Sequence, residues 1–136
     1  MNKELKELMI KHEGLKLKPY KDTVGKLTIG VGRNLDDNGI SEDEAFKMLE
    51  NDIYGWVIPT LKKLFPEFDK FSINRQNALI SMMFNLGEVR FRGFKQMIFA
   101  IQTGNWNLAS EQAVASKWYS QVKNRGIEIA HALLKG

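Results

Sequence analysis

The sequence predicts an α+β fold: a mostly α-helical bundle carrying a small β-hairpin lobe near its N-terminus. Three observations predict it. Apolar residues recur at helical spacing over most of the chain beyond Ser41. Between Leu15 and Gly32 the pattern turns instead to short alternation, β-branched residues and spaced glycines. A length of 136 residues, 43% hydrophobic and 26% charged, with no repeat, linker or low-complexity stretch, makes one compact domain, 1–136.

Each element follows from its residues. Leu5, Leu8, Met9 and His12 fall on one stripe of a short helix over 3–12, and Gly14 stands where a glycine cap ends it. Glu13 therefore closes that helix. Leu15, Leu17 and Pro19-Tyr20 begin an extended segment, since Pro19 argues against helix. Asp22-Thr23-Val24-Gly25 is a turn signal, and Lys26 to Gly32 is β-branched and glycine-spaced, so a hairpin or three-stranded sheet is expected. Asp36 to Gly39 reads as another turn, and Ser41 with Glu44 as a capping box. The helix after it should turn Ala45, Met48 and Leu49 inward, and Trp56, Val57, Thr60, Leu61 and Leu64 continue helical spacing to about Leu64. Ala78, Leu79, Met82, Met83 and Leu86 mark a central helix over 74–86, apolar nearly all round. Residues 93–103 form a further helix, Asn105 caps another, and a last one runs from about Val122 to Leu134.

Composition narrows the chemistry. With no cysteine there can be no disulfide, thiol nucleophile or cysteine zinc site, and two distant histidines do not make a metal site, so neither metal nor cofactor is expected. No apolar run approaches membrane-spanning length, and the charged N-terminus lacks the apolar core of a Sec signal peptide. The expectation is a product made in the cytoplasm that another agent must release. Residues 1–53 carry a net charge of −2 and residues 54–136 one of +6, so the C-terminal part would be drawn to a polyanion.

Glu13 at a helix end and Asp22 in a hairpin turn are two acids on separate elements, the arrangement glycosidic cleavage asks for, although acids at helix ends and in turns are also common as ordinary surface residues. One carboxyl must donate a proton to the leaving oxygen; the other stays ionised to position water or stabilise positive charge. Apolar neighbours such as Leu15 or Tyr20 would keep Glu13 protonated, while the polar turn keeps Asp22 charged. Thr28, two residues beyond Lys26, is placed to hold a water with its hydroxyl, although strand propensity alone would also explain it.

Together, Glu13-Gly14-Leu15, Tyr20-Lys21-Asp22-Thr23, Gly25 and Thr28-Ile29-Gly30-Val31-Gly32 resemble the signature of the phage-type lysozymes, a glycoside hydrolase family. Gln76-Asn77-Ala78-Leu79 with Phe84-Asn85-Leu86-Gly87 is similar to the family's central-helix segment, and Ser116-Lys117-Trp118-Tyr119 with Asn124-Arg125 to its C-terminal motif. The resemblance implies a lysozyme-like fold with a substrate cleft between a small lobe (about 14–52) and a helical lobe (about 65–136, plus helix 1–12), joined by a helix over about 53–64. It implies Glu13 as general acid, Asp22 as the opposing carboxylate and Thr28 as the water holder. The implied substrate is peptidoglycan, cut between N-acetylmuramic acid and N-acetylglucosamine by an endolysin-type muramidase. A holin-type pore protein would supply the route to the wall, and the enzyme would work as a monomer. Arg33 stands where the T-even member has histidine, and Asn34–Ile40 is shorter than its counterpart, so the small lobe should be trimmed. The chain also stops soon after its last helix, without that member's extra C-terminal segment.

Further candidates line the expected cleft. Asn85, at the end of the central helix, would bond acetamido or peptide groups. Trp118, with Tyr119, Gln121 and Arg125, suits a glycan bearing acidic peptides; a core place for Trp118 and an acid partner for Arg125 are the alternatives. Leu35 and Phe91 are expected in the cleft wall or in the packing behind it. Two other readings compete. A lytic transglycosylase needs only one acid, and Asp22 with Thr28 argues for hydrolysis. A non-catalytic basic module for nucleic acid or an anionic envelope would use the loop Val-Arg-Phe-Arg-Gly-Phe (89–94), yet the basic residues scatter over several helices rather than lining one.

Overall fold

A computed structural model describes all residues, 1–136. It is an α+β structure with ten α-helices and one small sheet. Contacts divide the chain into two units, Met1–Lys47 and Met48–Gly136.

The first unit opens with α1 (Lys3–Glu13), capped by the Asn2 side chain, which accepts the Leu5 N–H at 2.8 Å. Gly14 ends it, its N–H bonding the Ile10 carbonyl. Three antiparallel strands follow in sequential order, β1 (Lys16–Lys21), β2 (Leu27–Gly30) and β3 (Arg33–Asn34). Tyr20 faces Thr28, and Thr28 faces Asn34, so Thr28 stands at the centre of the sheet. Pro19 is tolerated within β1 because β1 is an edge strand, and the pairing is irregular between Lys16 and Tyr20. The turn expected over 36–39 is instead a four-residue helix, α2 (Leu35–Asn38), because Asn34 caps it by accepting the Asp37 N–H. The N-terminal helix falls in the same unit as the sheet.

α3 (Glu42–Asp52) starts at the capping box, with the Glu44 N–H on Ser41 Oγ at 3.1 Å and the Ser41 N–H on Glu44 Oε1 at 2.9 Å. The division between the units falls within this helix. Of its expected inward residues Ala45 is half-buried, but Met48 is 50% and Leu49 41% exposed, and no residue of α3 is fully buried. The helical path continues through a π-helical turn (Ile53–Val57) into α4 (Ile58–Leu64). Pro59 has no N–H for the Gly55 carbonyl, which removes one α-type bond, and here the ladder widens so that the Ile58 N–H reaches the Ile53 carbonyl.

The second unit holds the hydrophobic core. α5 (Ile73–Leu86) buries Ala78, Leu79, Met82, Met83 and Leu86 and packs against α4 and α10 (Asn124–Lys135). The helix is not buried all round, since Ile73 and Phe84 remain exposed. α6 (Glu88–Arg92) occupies the segment read as a loop: Phe91 is fully buried, and Arg92 pairs with Glu88 one turn back. α7 (Lys95–Gln102) and α8 (Trp106–Val114) follow, Asn105 capping α8 through the Leu108 N–H. The single last helix expected from Val122 is two helices, α9 (Lys117–Val122) and α10, because Lys123 turns the chain with φ 52°.

Candidate active site

Glu13 is the last residue of α1 and is exposed; its carboxyl lies against Gly32 in the turn between β2 and β3. Leu15, expected to wall it in, is 52% exposed and encloses nothing. Asp22, half-buried, organises the β1–β2 turn. Its Oδ1 accepts the N–H of Val24 at 3.0 Å and of Lys26 at 2.8 Å, and its own N–H bonds the Lys26 carbonyl at 2.9 Å. One carboxylate oxygen is thus committed to the turn, and Oδ2 is left for a ligand or a water.

Thr28 is the one buried residue of the first unit, and its hydroxyl donates to the Lys26 carbonyl at 2.9 Å. Lys26 therefore ties Asp22 and Thr28 to the same short segment, a link that spacing alone did not reveal. With its proton spent on a carbonyl, the Thr28 hydroxyl has only lone pairs to offer a water, as an acceptor.

A set of charges fixes this region from behind. Lys26 Nζ meets Asp37 Oδ1 at 3.0 Å, and the Leu27 N–H donates to Asp36 Oδ2 at 2.7 Å. The hydrogen bond between Lys26 and Asp37 raises the lysine pKa and lowers that of the carboxyl. Arg33 Nη1 donates to Glu44 Oε1 at 2.8 Å and to the Gly39 carbonyl at 3.2 Å. The Arg33 bond, followed by the bonds to Ser41, lowers the Glu44 pKa to about 2. Arg33, noted as a departure in the sequence, therefore clamps β3 to the start of α3. Leu35 is half-buried at the start of α2.

In the second unit the expected substrate-binding residues separate. Asn85 is exposed, and its Oδ1 accepts the Trp118 indole N–H at 2.9 Å, leaving its amide N–H groups free. Trp118 is only 3% exposed and stands edge-on to Phe94 at 6.3 Å, so its ring belongs to the core and has no face for a sugar. Phe91 is fully buried edge-on to Phe65 and cannot touch substrate. Arg125 pairs with no acid: its guanidinium donates to Ser81 Oγ at 3.1 Å and to the Ser81 carbonyl at 2.9 Å. A cavity of about 470 Å³ beside Phe94, walled by Arg90, Lys95, Gln96, Gln112 and Ser116, escaped the sequence reading because its polar walls come from separate helices. It contains no acid pair.

Comparison with known proteins adds an independent line. The family model described as phage lysozyme matches residues 10–133. The chain is 29% identical over 162 aligned positions to the pre-baseplate central spike protein Gp5 of Enterobacteria phage T4, a match that covers 99% of this chain but 28% of that protein. It is 28% identical to the probable T4-type lysozyme 2 of Dictyostelium discoideum, covering 92% of this chain and 90% of that one. The probable T4-type lysozyme 1 of the same organism is 26% identical, with 100% and 96% covered. These alignments run longer than the 136 residues of the chain, so the relatives carry segments it lacks.

Proposed function

The chain belongs to the phage lysozyme family, which makes it a glycoside hydrolase of the lysozyme type, and from that premise we propose that it is a muramidase acting on bacterial peptidoglycan. It hydrolyses the β-1,4 bond between N-acetylmuramic acid and N-acetylglucosamine. Glu13 donates the proton to the leaving oxygen. Asp22, ionised, stabilises the positive charge that develops at the sugar, and Thr28 accepts from the attacking water. Asn85 bonds acetamido or peptide groups, and Leu35 adds apolar contact.

The observation that carries the reading is the split placement of the two acids. Glu13 ends a helix with its carboxyl exposed, while Asp22 sits in a turn that holds one of its oxygens and leaves the other open. No helix is long and apolar enough to cross a membrane. On the family's pattern, we infer synthesis in the host cytoplasm, release by a holin-type pore protein, and action as a monomer on the wall in the periplasm.

Mass spectrometry of the muropeptides released from purified peptidoglycan tests the reaction. Hydrolysis adds one water and leaves reducing muramic acid ends. Products ending in anhydro-sugar would establish a transglycosylase instead, and salt-sensitive DNA binding without any product would establish a binding module.

A further inference from the structure

Gly32 lies in the tight turn between β2 and β3 with φ 69°. A Cβ built on it would stand 2.8 Å from Oε2 of Glu13, 3.2 Å from its Cβ and 3.3 Å from its Cδ. Gly30, two residues earlier, has nearly the same φ, 70°, yet a Cβ there would meet nothing within 4 Å. Both positions make the same backbone demand, a left-handed conformation that favours glycine. Only Gly32 also makes room for a carboxyl. Nor can the turn easily retreat, because Arg33, the next residue, is held to Glu44 and to the Gly39 carbonyl.

We propose that Gly32 is a positioning residue for Glu13: its missing side chain is the slot in which the carboxyl rests, and the turn backbone restricts where the acid points. This rests on the reading of Glu13 as the general acid. A methyl at position 32 need not unfold anything: the carboxyl, at the end of a flexible side chain, would swing aside, and the Glu13 Cβ at 3.2 Å asks only a small shift of the helix end. The damage is then to aim, and a misplacement of about 1 Å is enough to cost on the order of 100-fold in rate.

The test compares Gly32→Ala with Gly30→Ala in the full chain. Both place an L side chain at the same positive φ and lose comparable stability through it. Gly32→Ala is expected to lower kcat by about ten- to a hundredfold with KM unchanged, and to move the NMR resonance of the Glu13 carboxyl carbon. Gly30→Ala is expected to keep the parent kcat and leave that resonance in place. Equal kcat values in the two variants, or a Glu13 resonance that stays put in Gly32→Ala, would overturn the proposal. The resonance is independent of turnover. If it moves while Glu13→Gln retains full activity, the reading of Glu13 as the acid has failed, and the positioning role fails with it.

Discussion

Glu44 is the carboxylate with the most marked environment in the chain, and its effect on stability can be given a sign. Its folded pKa, about 2 against an ordinary 4.5, is held down chiefly by Arg33 and then by Ser41. A depressed folded value means that the group binds protons more readily in the unfolded chain. Its contribution is therefore complete above about 4.5 and is lost as pH falls toward about 2. Both partners are more than 40% exposed, so solvent screens the pair and the effect is modest. Melting temperatures of the parent and of Glu44→Gln should differ at pH 6 and converge by pH 2; a difference unchanged across that range would contradict the assignment. The sequence made the capping box legible through Ser41 and Glu44, but not the arginine that shares it. Arg33 is eleven residues from its partner, a distance that only the fold closes.

Between elements, the second unit is joined by side chains that reach backbone carbonyls. Arg75 on α5 donates to the carbonyls of Leu133 and Leu134 at the end of α10, and lies 4.2 Å above the Trp106 ring. The last carbonyls of a helix have no partner of their own, so a cation placed there both bonds them and suits the helix dipole. Arg75→Ala should cost about 1–3 kcal/mol in a urea unfolding series. Arg75→Lys should recover only part of that, because a compact ammonium lacks the planar fork that reaches both carbonyls while lying over the Trp106 ring; full recovery would show that charge alone matters. The helices themselves were legible wherever a cap and a periodic run coincided, as at Asn105 and through Ala78 to Leu86. They were illegible where one residue redirected the chain. Lys123 splits the last helix with a backbone conformation that no sequence pattern announces, and α6 hides in a short motif read as a loop whose arginines suggested nucleic-acid binding. For Trp118 and Phe91 the sequence left core and cleft both open, because an aromatic ring reads alike whether it faces a sugar or the core; burial decides for the core.

Across the whole molecule, packing and proposed chemistry occupy different stretches of the chain. Every buried apolar residue lies at Val57 or beyond, whereas Glu13, Asp22 and Thr28 all lie within the first unit. The acid pair was legible in the sequence as two carboxyls on different elements, and the family resemblance assigned their roles. Spacing could not show that Lys26 links Asp22 to Thr28, or that Gly32 makes room for Glu13, because both depend on how the strands pair. The same separation makes the decisive experiment clean. Glu13 is exposed and contributes nothing to the core, so Glu13→Gln should keep the parent circular dichroism spectrum and melting temperature. It keeps the size of the side chain and removes the proton that a general acid must give. Its rate of peptidoglycan hydrolysis, measured by release of reducing ends, is expected to fall by about 100-fold or more. A folded Glu13→Gln protein that hydrolyses at the parent rate would contradict it.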